Sequence, residues 1–153
     1  MEYGWTVKKQ SWDKLANYIS EFTWQMVPFH ETQSQKVPTK NGVYMIVTSP
    51  PRRFLKEKLY QQFMTPIYIG SSPKSETEGM RGRFNSHLKR EDYSDPIAKA
   101  KQIFGVQLKF WYTIIDPDEY KADDPNFFKT IEQLLISTFG PRGNAINAQS
   151  TDN

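Results

Sequence analysis

A few side chains in this sequence are typed and spaced to handle an anion and its protons. Tyr44 lies in a short apolar run, 42–48 (GVYMIVT), and Tyr68 in another, 66–70 (PIYIG). Side chains alternate across a strand. Tyr44 therefore shares a face with Ile46, and Tyr68 with Gly70. Val43, Met45 and Val47, and likewise Ile67 and Ile69, fall on the opposite face. Antiparallel pairing of the two runs would aim both hydroxyls to one side. Arg83 and His87 are four residues apart, which stacks them on one helix face. A guanidinium is a permanently charged planar fork that suits phosphate oxygens. Glu132 is the sharpest oddity. At about 100° per residue it falls between Phe128, Leu135 and Phe139 on one side and Ile136 on the other. A carboxylate in an apolar sector needs a cation, either a structural Lys or Arg or a divalent metal. Asn144, in Pro-Arg-Gly-Asn after that helix, brings an amide to the same end.

These residues need strands and helices to hold them. Ser11 can cap a helix over 12–22, with Trp12, Leu15, Ile19 and Phe22 at helical spacing. Residues 28–41 are polar, carry two prolines and read as a loop. The run 42–48 reads as a strand ended by Ser49-Pro50-Pro51, 52–63 as a short helix, and 66–70 as a second strand. Turn-rich residues 71–79 lead to a basic helix over 80–90, despite Gly82, and then a helix over 95–104. Residues 106–115 (VQLKFWYTII) give the strongest strand signal, β-branched and aromatic throughout. An acidic loop over 116–125 precedes a helix over 126–139, capped by Asn126 and stopped by Gly140-Pro141. The expected fold is α/β (α+β): a small, mainly antiparallel three-stranded sheet flanked by helices. Residues 1–41 form a helix and connector packed on a domain of 42–147, and 148–153 form a tail.

Composition narrows the chemistry. The chain has 153 residues, 37% hydrophobic and 24% charged, which suits one core. It has no cysteine, so disulfides, zinc fingers and thiol nucleophiles are excluded. Two histidines, His30 and His87, exclude a His-rich metal cluster. No run approaches the roughly 18 apolar residues of a membrane span, and residues 1–9 lack the apolar core of a signal peptide. A cytoplasmic location with no membrane partner is expected. The net charge of +3 allows nucleic acid without requiring it. Its distribution is uneven. Residues 42–101 carry eleven basic against six acidic residues, and residues 102–153 carry four against seven.

Taken in order, these positions resemble the GIY-YIG nuclease family. The Gly-Ile-Tyr strand is matched by Gly42-Val43-Tyr44, and Tyr-Ile-Gly by Tyr68-Ile69-Gly70, followed by Ser71. Arg-x-x-x-His is matched by Arg83 to His87, the helix glutamate by Glu132, and Pro-x-x-Asn by Pro141 to Asn144. The likeness covers about residues 41–147. Valine replaces isoleucine at 43, and an insertion over 50–63 lengthens the gap between the tyrosines. Arg81 rivals Arg83, though only Arg83 has a histidine four residues on. Asn147 rivals Asn144. Some members carry a lysine directly after Tyr-Ile-Gly; here that place is Ser71, and Lys74 is the nearest lysine.

The resemblance implies phosphodiester hydrolysis in DNA, with RNA open as a substrate and a homodimer allowed. It implies that Glu132 holds Mg²⁺, or Mn²⁺ in its place, largely through water, as expected of a hard cation beside phosphate. It makes Tyr44 a candidate general base, assisted by a nearby cation such as Arg83. Tyr68 would orient water or phosphate, His87 would relay a proton or bind phosphate, and Asn144 would hold the loop or a phosphate. Whether Tyr44 or His87 takes the proton stays open. Two other readings compete. One is a non-catalytic nucleic-acid-binding module of the same fold. The other is an interaction domain in which Glu132 merely pairs with a basic residue.

Overall fold

The computed structural model describes residues 22–48, 65–72, 77–92, 94–116 and 127–139. The strands are β1 (Gln25–Pro28), β2 (Gly42–Thr48), β3 (Thr65–Ser72) and β4 (Leu108–Ile114); the helices are α1 (Gly79–Leu88), α2 (Pro96–Phe104) and α3 (Phe127–Phe139). The strands form one sheet in the order β1-β4-β2-β3, with every neighbouring pair antiparallel. The fold is thus mixed α+β, with four strands among the described residues rather than the expected three.

The added strand, β1, comes from the N-terminal connector. Its sequence, QMVP, buries only Val27, so neither apolar alternation nor β-branched content marks it. Partnership with β4 makes it a strand: Gln25 pairs with Tyr112 and Pro28 with Lys109, and the Tyr112 hydroxyl donates to Gln25 Oε1 at 2.7 Å. Residues Glu31–Lys36, read as loop, form a 3-10 turn in which His30 Nδ1 accepts from the Thr32 N–H. Val106 and Gln107, read as strand, lie in a second 3-10 turn, Gly105–Gln107, with Val106 89% exposed.

Each sheet face has its own apolar layer. Tyr44, Ile46, Phe110 and Tyr112 join Phe29, Met80, Phe84 and Ile97 under α1 and α2. Val43, Ile69 and Ile115 join Phe128, Ile131 and Leu135 of α3 on the other side. A bulge breaks the alternation in β3. Ile46 pairs with Tyr68 and Val47 with Pro66, so Ile67 is the extra residue. Ile67 therefore packs on the same layer as Tyr68 and not, as strict alternation predicts, with Ile69.

The start of α1 is fixed by backbone. Gly79 has φ +54°, and a Cβ there would overlap the Thr39 and Lys40 carbonyl oxygens. Those carbonyls come close because the Met80 N–H donates to Lys40 O at 2.8 Å and the Arg81 N–H to Pro38 O at 3.0 Å. Two orphan donors of the first turn are thereby satisfied. Met80, Phe84 and His87 form the buried stripe of α1, with Phe84 edge-on to both Phe29 and Phe110. Asp95 caps α2, accepting from the Ile97 and Ala98 N–H groups, with Pro96 beginning the helix. The helices read over 12–22 and 52–63, Lys74, the Asn126 cap, Pro141, Asn144, Asn147 and the tail lie outside the described residues, apart from Phe22, which is buried. Among the described residues, no helix is long and apolar enough to cross a membrane.

Candidate active site

Tyr44 and His87 meet directly. The Tyr44 hydroxyl lies 2.6 Å from His87 Nε2, with both side chains about 1% exposed. Two strands and a helix place this pair. Tyr44 of β2 sits opposite Gly70 of β3 and Tyr112 of β4. Its ring stacks on Phe110 with centroids 5.0 Å apart. A Cβ on Gly70 would overlap the Tyr44 hydroxyl, so this approach requires glycine. The expectation that both tyrosines face one side holds. Tyr68 stacks on Tyr44 at 6.4 Å and stands edge-on to His87 at 5.0 Å. Tyr68 is only partly buried, and it is the ring of the three that solvent reaches.

Burial sets the charge state of the pair. It raises the Tyr44 phenol well above its ordinary 10.0; the neighbouring Tyr68 adds to the rise, and Arg83 opposes it only in part. The assistance expected from a cation is therefore outweighed by desolvation. His87 is lowered from 6.5 to about 3, first by burial and then by the charges of Arg90 and Arg83. Near neutral pH both partners are uncharged. One then donates and the other accepts, and among the described residues His87 Nδ1 has no hydrogen-bond partner.

Arg83 lies one turn before His87 and is partly buried, and its charge acts on both members of the pair. Arg81, its rival, is committed elsewhere. Its Nε donates to Val37 O at 2.8 Å and its Nη2 to Gln35 O at 3.4 Å, tying α1 to the connector.

Glu132 approaches from the opposite face of the sheet. α3 packs against β3 and β2, and the Ser71 hydroxyl, one residue beyond Gly70, donates to Glu132 Oε2. Lys129 Nζ donates to Oε1 at 3.1 Å; the side chains are 62% and 12% exposed for Lys129 and Glu132. Among the described residues, the cation paired with Glu132 is a lysine of its own helix. The site straddles β3, where Gly70 carries no side chain on one face and Ser71 reaches the carboxylate on the other. Glu132 is close enough to raise the Tyr44 phenol further.

Among the described residues no three His, Cys, Asp or Glu side chains cluster to hold a metal. This donor set does not suit zinc or a calcium cage built wholly of protein oxygens. It suits a hard cation that keeps most of its water and takes one carboxylate plus substrate phosphate. Oε1 could serve such an ion, because its present partner is mostly in solvent.

Two contributors escaped sequence reasoning. Ser71 enters the motif pattern only as the residue that follows Tyr-Ile-Gly; its signal is a hydroxyl one strand position from Gly70, which places it on the opposite face. Arg90 follows α1 and bonds Asp95 by Nη1 to Oδ2 at 2.8 Å, with its guanidinium 6.0 Å from the Tyr68 ring centroid. Its signal was a basic residue three beyond His87, just ahead of a helix-capping aspartate. No protein-family model matches this chain, and neither a curated protein nor a solved structure does.

Proposed function

We propose that this chain is a metal-dependent endonuclease of GIY-YIG type that hydrolyses phosphodiester bonds in DNA, acting in the cytoplasm. The observation that carries the reading is the buried 2.6 Å contact between Tyr44 and His87, beside Tyr68 and two guanidiniums. A tyrosine–histidine pair with both members neutral can pass a proton. In the proposed step the attacking water loses a proton to the Tyr44 oxygen while the Tyr44 proton moves to His87 Nε2. The resulting hydroxide attacks phosphorus, and the bond to the leaving oxygen breaks.

Burial and the positive field both bear on that transfer. Without substrate, burial holds His87 neutral, and the charges of Arg90 and Arg83 add to it. A bound phosphodiester is an anion that offsets the guanidiniums' share of this shift, so substrate makes His87 a better proton acceptor than it is in the free protein. Tyr68, partly exposed over Tyr44, positions the phosphate or the water. Glu132 Oε1 is the proposed ligand for Mg²⁺ or Mn²⁺, with Ser71 holding Oε2 so that one oxygen stays directed outward. When bound, such an ion supplies charge neutralisation at the phosphate and at the departing oxygen. Asn144 remains a proposed loop or phosphate contact.

The Lys129–Glu132 ion pair favours the second reading, a non-catalytic nucleic-acid-binding module, because it satisfies the carboxylate without metal. One experiment separates the two. Purified protein is incubated with plasmid, branched and single-stranded DNA plus Mg²⁺ or Mn²⁺, beside Glu132→Ala. The nuclease reading expects cleavage by wild type alone. Salt-sensitive DNA binding without cleavage assigns the module instead.

A further inference from the structure

We infer that Arg90 is a second phosphate-binding guanidinium of this site, held in place by Asp95 and the face of Tyr68. The inference rests on the phosphodiester reading above and adds a residue that the motif pattern does not include.

A guanidinium has five N–H donors. The bond to Asp95 uses Nη1 alone, and among the described residues Nε and Nη2 make no hydrogen bond. Arg81, on the same helix, spends both its Nε and its Nη2 on backbone carbonyls. Arg90 is thus anchored by one edge and open at the other, with its side chain 31% exposed. Asp95 is a firm anchor because its other oxygen caps α2, at 2.9 Å from the Ile97 nitrogen and 3.1 Å from that of Ala98. At 6.0 Å the guanidinium lies within cation–π reach of Tyr68, the exposed ring of the site. The group is charged, preorganised and desolvated on one side only, beside the proton-transfer pair. Those are the attributes of an anion clamp.

The test is DNA binding by fluorescence anisotropy in EDTA across a salt series, with cleavage in Mg²⁺ measured in parallel. Arg90→Gln should weaken binding roughly tenfold and lower the magnitude of the log–log salt slope by about 0.9, the value for one lost phosphate contact. Arg90→Lys should restore the slope. Arg81→Gln should leave the slope unchanged. Asp95→Asn keeps a capping side chain but frees Arg90, so it should weaken binding at constant slope. If wild type binds and cleaves DNA while Arg90→Gln keeps both slope and affinity, the Arg90 assignment is overturned and the nuclease reading stands. The assignment is also overturned if Arg90→Gln lowers thermal stability without moving the slope. Wild type that binds no DNA overturns the nuclease reading and this inference together.

Discussion

Acid should unfold this protein through one residue more than any other described here. His87 is buried and neutral, with its pKa lowered from 6.5 to about 3. In the unfolded chain it regains the ordinary value, so between those limits the unfolded state binds the extra proton. The contribution to stability is full above pH 6.5 and is lost as the pH falls towards 3. At pH 5 the loss is fixed mainly by the unfolded value, because the folded one lies well below. It amounts to about 2 kcal/mol relative to pH 7.5, from about 1.4 kcal/mol per pH unit over the protonated range. In a chain of this size that lowers the melting temperature by about 4–8 °C. The assay is urea unfolding at pH 7.5, 6 and 5, for wild type and His87→Gln. The variant is less stable at neutral pH, since Tyr44 loses its partner, but its stability should fall by about 2 kcal/mol less between pH 7.5 and 5. Parallel pH profiles for the two proteins would refute the argument that burial and the two guanidiniums hold His87 neutral.

Three other outcomes follow from the same geometry. Gly70→Ala puts a methyl group where the Tyr44 hydroxyl sits; it should cost about 1–3 kcal/mol in urea unfolding and abolish plasmid nicking. Tyr44→Phe leaves both His87 nitrogens without a partner among the described residues and should destabilise the fold by about 1–3 kcal/mol, with loss of nicking; full cleavage by this variant would exclude Tyr44 from proton transfer. Adding Mn²⁺ should raise the melting temperature of wild type but not of Glu132→Ala, and equal responses would remove the metal from Glu132.

The parts of the fold that a single sequence discloses are those with strong local patterning. β2 is read over its full length because GVYMIVT is apolar and β-branched between a glycine and a proline stop. α3 is read from its apolar stripe and its Asn126 and Gly140-Pro141 boundaries. β1 is invisible because Gln25–Pro28 becomes a strand only by pairing with residues more than eighty positions away. The bulge at Ile67 is hidden for a similar reason, since it is a property of two strands in register. In the site, residue types and order are local information, and they point to Tyr44, Tyr68, Arg83, His87 and Glu132. Charge state is not local. That the Tyr44 phenol is raised depends on the Phe110 ring, the Gly70 backbone and α1 closing around it. That Glu132 pairs with Lys129 rather than a distant arginine depends on rotamers within one helical turn, and no periodicity argument distinguishes those.

The extra residue at Ile67 works like an expansion joint in the β2–β3 hairpin. On one side of it, Tyr44 is matched to Gly70 and Val43 to Ser71; on the other, Val47 is matched to Pro66 and Thr48 to Thr65. A slip of one residue transmitted along β3 would exchange the faces of Tyr68 and Ile69 and carry Ser71 away from Glu132. The bulge confines such a slip to the far end. Changes of register at the Thr48–Thr65 end of the pair therefore leave Tyr44, Gly70, Ser71 and Glu132 where they are.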